Sequence, residues 1–240
     1  MHEADNLYIK DLTFFFPKDT TPFFYKLNST FLCNSLNFIQ GKNGIGKSTF
    51  LRIMCGELLP QERVTGTLHV ENTMYNFEKS YEIKDAIRMV PQNFNDILLS
   101  SYSFSQNLQC ALLGKIPKLR GLSPCPAIPP FIKKYGINTE IPISSLSGGQ
   151  RQILSILMTI QKAPKIMLLD EPTATMDEEN ARLVINFLAE LADRSQITII
   201  LVVHQKELIR QYCKNFYHEL LKDHAEIRQL VPVLCKNTST

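Results

Sequence analysis

Leu36-Asn37-Phe38-Ile39-Gln40 runs without a break into Gly41-Lys42-Asn43-Gly44-Ile45-Gly46-Lys47-Ser48-Thr49, and this stretch decides the fold. The first five residues read as a short, mostly apolar strand. The nine that follow fit G-x-x-x-x-G-K-[ST]. Apolar residues at 50, 51, 53, 54 and 58 then predict a helix over 48–58, closing near Gly56 or Pro60. Glycines between strand and helix let the backbone turn tightly and approach an anion, so that successive N–H groups and the helix N-terminus cradle phosphates. In that reading Lys47 places its ammonium on the β- and γ-phosphates, and Ser48 ligates Mg²⁺. The bland alternative is a glycine-rich turn with an exposed lysine. The flanking strand and helix are the context that the phosphate reading needs.

Further along the chain, Ile166–Leu169 is a four-residue apolar run, and Ile197–Val203 is rich in β-branched residues. Both read as strands buried on two faces, the pattern of a parallel sheet. Between them, apolar positions 184, 185, 188 and 191 predict an amphipathic helix over 178–192. This alternation implies an α/β core, in which ligands gather beyond the carboxyl ends of the strands. Gly41, Asp170-Glu171 and His204 each stand just past a proposed strand. Asp170 is placed to hold Mg²⁺, directly or through water, and Glu171 to polarise an attacking water. Asp170 before Pro172 also suits a helix N-cap.

Leu146-Ser147-Gly148-Gly149-Gln150 opens a third helix, with apolar positions 153, 156, 157 and 160. Ser147 and Gln150 fit the capping box S-x-x-Q. A cap has no need of two adjacent glycines, each costing a helix about 1 kcal/mol relative to Ala. Glycines in the first turn bare backbone N–H groups and make a second anion site. Two phosphate-binding helix N-termini in one chain suggest a shared nucleotide.

Composition narrows the field. The 240 residues have a net charge of +3, too little to argue for nucleic-acid binding. No apolar run approaches the ~18 residues of a membrane span, and Met1-His2-Glu3-Ala4-Asp5 lacks the features of a signal peptide. Six cysteines without a Cys-x-x-Cys pair argue against a zinc site or a disulfide framework and fit a reducing cytosol. Segment 97–139 has no acidic residue but carries Lys115, Lys118, Arg120, Lys133 and Lys134. Prolines 117, 124, 126, 129 and 130 forbid a continuous helix there, so an extended, proline-braced loop is expected over 115–130.

Taken in order, the phosphate loop 41–49, Gln92 in Val90-Pro91-Gln92, segment 146–150, the acidic strand end 166–171, Asp177 and His204 resemble the ATP-binding subunit of ABC transporters. The resemblance covers nearly the whole chain. Leu-Ser-Gly-Gly-Gln followed by Arg151-Gln152 is its most specific element. It implies an α/β phosphate-loop NTPase core with a mainly parallel sheet, a small antiparallel β subdomain and an inserted α-helical subdomain. Residues 1–240 form a single ABC ATPase domain in this reading, with 1–92 and 164–240 as the nucleotide-binding core and 93–163 as the helical, signature-bearing part.

The resemblance also implies roles. Lys47, Gln92, Glu171 and His204 carry catalysis, with Glu171 as general base and His204 at the γ-phosphate. Ser48, Gln92 and Asp170 serve Mg²⁺. ATP is held by Phe16, Gly41, Asn43, Gly44, Gly46, Lys47, Ser48 and Thr49, and from the partner by Ser147, Gly148, Gly149, Gln150 and Asp177. Phe16 stands where an adenine-stacking Tyr is usual, though Phe14–Phe16 read equally as a core strand. Gln205 follows His204 where Asp is common, and Ala174-Thr175-Met176 replaces the usual Ser-Ala-Leu before Asp177.

The implied active unit is a head-to-tail dimer of ATPase subunits on a separate membrane permease, placed in the cytoplasm at the inner face of the cell membrane. The basic segment faces either permease or anionic headgroups, or simply water. The alternative is a soluble ABC-type ATPase acting on nucleic acid or ribosomes. The 97 residues between Ser48 and Leu146 carry no heptads for the coiled coils of DNA-repair relatives, so nucleic acid is not the expected partner. A phosphate-loop kinase has no use for Leu-Ser-Gly-Gly-Gln.

Overall fold

The computed structural model describes residues 6–91, 93–112, 128–223 and 226–235. The strands are β1 (Asn6–Phe15), β2 (Phe24–Leu32), β3 (Leu36–Gly41), β4 (Arg63–Val70), β5 (Thr73–Asn76), β6 (Ile87–Val90), β7 (Ile166–Asp170), β8 (Thr198–Val202), β9 (Phe216–Lys222) and β10 (Arg228–Leu234). The helices are α1 (Lys47–Met54), α2 (Ser80–Ala86), α3 (Phe104–Leu112), α4 (Gly148–Ile160), α5 (Glu178–Ser195) and α6 (Lys206–Tyr212). One sheet takes the order β5-β4-β1-β2-β10-β9-β3-β8-β7-β6.

The sheet has two characters. β3, β8, β7 and β6 are parallel, with β9 parallel to β3 on the other side. β1, β2, β4 and β5 pair antiparallel. β10 joins the halves, antiparallel to β9 but touching β2 through the single parallel pair Arg228↔Phe24.

Alternation along the strands explains the two cores. Met167 and Leu169 of β7, with Ile199 and Leu201 of β8, face one cluster built with Ile153 and Leu157 of α4 and Val184, Leu188 and Leu191 of α5. Ile166, Leu168, Ile200 and Val202 face the other, with Phe50, Leu51 and Met54 of α1 and Phe14, Phe24 and Phe31 of the antiparallel strands. Neither strand has a polar face because helices or strands cover both sides.

The helix expected over 48–58 is the shorter α1, and Gly56 turns the chain just beyond it with φ 72°. A side chain there would meet the Ser80 carbonyl at 2.6 Å, so glycine is required by both backbone and space. The expected helix 178–192 is α5, capped by Asp177, whose side chain accepts from Asn180 N. Part of the proline-rich stretch, 115–127, lies outside the described residues. Of the remainder, Pro129 is extended (φ −53°, ψ 129°) and caps a 3₁₀ turn that begins at Pro130 and runs to Tyr135.

The cysteines correct the sequence reading in one respect. Cys213 and Cys235 form a disulfide. Cys213 ends α6, and the β9–β10 hairpin returns Cys235 to it, with Cys235 N donating to Asn215 O at 2.9 Å. A pairing made by a hairpin leaves no spacing signature, which is why it was not legible. Cys55 and Cys110 are free thiols among the described residues.

Candidate functional site

Three parallel strands end level with one another. Val202 pairs with Ile39 of β3 on one side and Asp170 of β7 on the other. That register brings Gly41, Asp170-Glu171 and His204 to one edge of the sheet, the carboxyl edge where α/β proteins bind ligands.

The loop from β3 to α1 turns through Gly44 (φ 73°) and Gly46 (φ 115°), conformations that side chains disfavour. Gly46 caps α1 without any side-chain hydrogen bond, so the first N–H groups of the helix are open to an outside acceptor. Lys47 is buried, and its Nζ donates to the carbonyls of Gly41 (3.0 Å) and Lys42 (3.1 Å). Burial lowers its pKa, while Glu171 and Asp170 oppose that shift. The ammonium thus sits on its own loop, held by acceptors that an incoming anion can replace.

Asp170 is buried at the end of β7. Burial raises its pKa and the charge of Glu171 adds to that, against the Ser48 hydroxyl, Lys47 and His204. Its Oδ1 is buried with no hydrogen-bond partner. Such an orphaned oxygen beside a hydroxyl is the donor set of a hard divalent cation that keeps water and phosphate as its remaining ligands. No group of three His, Cys, Asp or Glu side chains that could enclose a metal occurs among the described residues. Glu171 follows in a left-handed conformation, φ 49°, uncommon for a residue with a side chain. Its N–H donates to Val202 O at 3.1 Å, and its Oε1 lies 2.6 Å from His204 Nε2. Asp170 therefore points into the sheet edge while Glu171 turns toward β8. Thr173 Oγ1 donates to Gln205 Oε1 at 3.4 Å, which ties the two strand-end loops together. Gln205, where Asp is common, thus has a structural partner.

Phe16, Phe23, Asn43, Gly44, Gly46, Lys47, Ser48, Thr49 and Glu171 line one open cleft of about 490 Å³. Phe14 is fully buried, whereas Phe16 lies just beyond β1 and reaches this cleft. Phe16 also packs, partly buried, against the core cluster.

Ser147, Gln150, Asn180 and the face of α5 line a different depression. Ser147 caps α4 with the full capping box, accepting from Gln150 N. Its hydroxyl donates to Asn180 Oδ1 at 2.8 Å, and Gly149 N donates to the same oxygen at 3.2 Å. Asn180 Nδ2 in turn donates to Asp177 Oδ2 at 2.8 Å. Gly149 needs its missing side chain because a Cβ would stand 2.8 Å from Asn180 Oδ1. Gln150 Nε2 donates to Gly136 O at 3.1 Å.

The chain thus gathers Phe16, 41–49, Asp170, Glu171 and His204 in one place and Ser147–Gln150 with Asp177 in another. Gln92 lies outside the described residues. Sequence reasoning missed Phe23, Asn180 and the Thr173–Gln205 link. Asn180 alone left a signal, as a polar residue three beyond the N-cap Asp177.

Comparison with known proteins agrees with this architecture. The ABC transporter family profile matches residues 25–174. Methionine import ATP-binding protein MetN 2 of Listeria monocytogenes is 31% identical over 182 residues, 74% of this chain and 52% of that protein. Phosphonates import ATP-binding protein PhnC of Treponema denticola is 29% identical over 182 residues, 72% of this chain and 70% of that protein. Among solved structures, cbiO1 from Clostridium perfringens, part of the ABC transporter complex cbiONQ, superposes with a TM-score of 0.70 at 22% identity, covering 94% of this chain and 86% of that one. A nucleotide-free ATP-binding cassette from an ABC transporter gives 0.68 at 19% identity, covering 96% and 91%. The chain spans about half the length of the methionine-import relative. With more than half of its residues inside the matched region and the phosphate loop, acidic strand end and signature in place, the chain belongs to the ABC transporter family.

Proposed function

We propose that this chain is the ATP-hydrolysing subunit of a membrane transport complex, coupling ATP binding, dimer closure and hydrolysis to movement of a substrate through a separate permease. The observation that carries the reading is the split of the site. The phosphate loop and Glu171 line one cleft, and Ser147 and Gln150 of the signature line another, where Gly149 N bonds to Asn180 of the same wall. Two copies arranged head to tail bring the second set onto a phosphate held by the first. The permease is inferred from family membership and from the import subunits among the relatives, which also favour import. No helix among the described residues is long and apolar enough to cross a membrane, consistent with a subunit at the cytoplasmic face. Residues 1–92 and 164–240 serve as nucleotide-binding core and 93–163 as the part that meets the permease.

The mechanism follows from the contacts. ATP phosphates accept from the open N–H groups of α1, and Lys47 exchanges the Gly41 and Lys42 carbonyls for the β- and γ-phosphates. Asp170 and Ser48 would hold Mg²⁺, which supplies charge neutralisation on the phosphates when bound. Glu171 orients and deprotonates the attacking water, and its contact with His204 Nε2 keeps the carboxylate aimed away from Asp170. Dimer closure excludes bulk water and adds the Ser147 and Gly149 donors to the γ-phosphate.

The test uses the full chain. Lys47→Ala should abolish ATP hydrolysis, and Glu171→Gln should form an ATP-bound dimer with almost no turnover. Co-purification with an integral membrane protein supports the transport role. Co-sedimentation with ribosomes or DNA instead would overturn it.

A further inference from the structure

Against Phe23, one wall of the cleft, packs a side chain that no motif assigns. Arg228 opens β10 beside Phe24 of β2. Its guanidinium carbon lies 3.6 Å from the centroid of the Phe23 ring. Its Nε donates to Ile45 O at 2.9 Å, within the phosphate loop, and its Nη1 donates to Phe23 O at 3.2 Å. One planar cation therefore holds the aromatic ring and the phosphate loop at once, a use of the guanidinium fork that lysine cannot reproduce.

The Phe23 ring also meets Gly46, so closely that a Cβ added there would stand 2.6 Å from Phe23 Cε1. Gly46 thus serves the close approach of Phe23 as well as its own backbone turn. Phe16 and Phe23 meet nearly at right angles, with centroids 4.8 Å apart and planes at 75°. Rings so placed cannot sandwich one base. They form a corner, in which one ring takes a face of the base and the other its edge.

We propose that Arg228 is a positioning residue for nucleotide binding, clamping Phe23 between the phosphate loop and β10 so that Phe23 and Phe16 together form the surface for the adenine base. The proposal rests on the reading of this cleft as the ATP site. Arg228 touches neither phosphate nor base in this arrangement. It acts through Phe23 and Ile45.

The experiment measures binding of Mg-ATP and of Mg-tripolyphosphate, which has no base, to the full chain by calorimetry. Phe23→Ala weakens ATP about tenfold, the loss of part of one base-stacking surface, and leaves tripolyphosphate within about twofold. Arg228→Gln weakens ATP by about tenfold or more and also weakens tripolyphosphate, because the Ile45 carbonyl loses its donor and the loop its brace. Arg228→Lys fails to restore ATP affinity. In steady-state assays Arg228→Gln raises KM for ATP more than it lowers kcat. ATP affinity equal to wild type in both Phe23→Ala and Arg228→Gln overturns the proposal, as does full rescue by Arg228→Lys. A wild-type chain that binds no ATP, or a Lys47→Ala variant that binds it normally, overturns instead the assignment of the cleft.

Discussion

Substituting Asn180 by Ala should make the ATP-bound dimer form more readily. In the isolated chain the two donors assigned to a partner's γ-phosphate are already spoken for: Ser147 Oγ and Gly149 N both donate to Asn180 Oδ1, at 2.8 and 3.2 Å. A phosphate oxygen arriving at the signature must displace that amide oxygen. Each bond is worth a net ~0.5–1.5 kcal/mol, and the half-buried, solvent-reachable setting of Asn180 places the pair near the low end, at about 1 kcal/mol together. When two like chains close, both signatures are released, so removing Asn180 Oδ1 favours the dimer by about 2 kcal/mol, or roughly 30-fold in its dissociation constant. The same bonds are lost from the folded chain, so folding should cost about 1 kcal/mol, offset in part because Ala is the better helix former in the first turn of α5. The assay is sedimentation of Glu171→Gln, with and without Asn180→Ala, across a titration of ATP. The double variant should dimerise at lower protein concentration, and Asn180→Asp, which adds a negative charge where the phosphate must arrive, at higher. Dimerisation of the double variant unchanged or weakened would show that Asn180 supports the interface rather than competing with it.

Three further outcomes can be measured. Glu62 has no exposed side-chain surface, and its carboxylate accepts from both Arg52 Nη atoms and from Leu59 N, each at 2.7 Å, so Arg52 lowers its pKa; Glu62→Gln should cost about 2 kcal/mol in urea unfolding, since charge-assisted bonds are among the stronger ones. His218, buried beside Phe31 and Phe216, is pushed by burial from 6.5 down to about 4. Between those values the unfolded chain binds a proton that the folded chain does not, so stability should fall by up to about 3 kcal/mol as pH drops through that window. The loss should begin near the unfolded value and be complete near the folded one, and His218→Phe should flatten the pH dependence of Tm. Lys47→Ala removes the cation bonded to the Gly41 and Lys42 carbonyls and should lower ATP turnover by at least ~100-fold with only a small change in Tm, read by phosphate release.

Much of the site was legible because phosphate chemistry constrains residue type locally. A loop that must bare N–H groups needs glycines at fixed spacing, and a signature helix that approaches Asn180 closely needs Gly149. The strands were legible because a parallel sheet covered on both faces leaves continuous apolar runs such as Ile166–Leu169. What composition and period could not show are contacts made by register between distant elements. The Cys213–Cys235 bond and the Asn180 bridge from α5 to α4 are of this kind.

Arg228 shows why such contacts escape a reading by pattern. β10 alternates as an ordinary strand, and nothing in Arg228-Gln229-Leu230-Val231 marks its first residue as different. Its meaning comes from topology. Among the described residues β10 joins the antiparallel half of the sheet to the parallel half, and it pairs with β2 at Arg228↔Phe24. A side chain at that seam reaches the first half through Phe23 and the second through Ile45 of the phosphate loop. The antiparallel half supplies the aromatic corner, Phe16 and Phe23, while the parallel half supplies the phosphate donors. A nucleotide bound across both halves therefore depends on how rigidly they are held together, and Arg228 is the side chain that bonds to each.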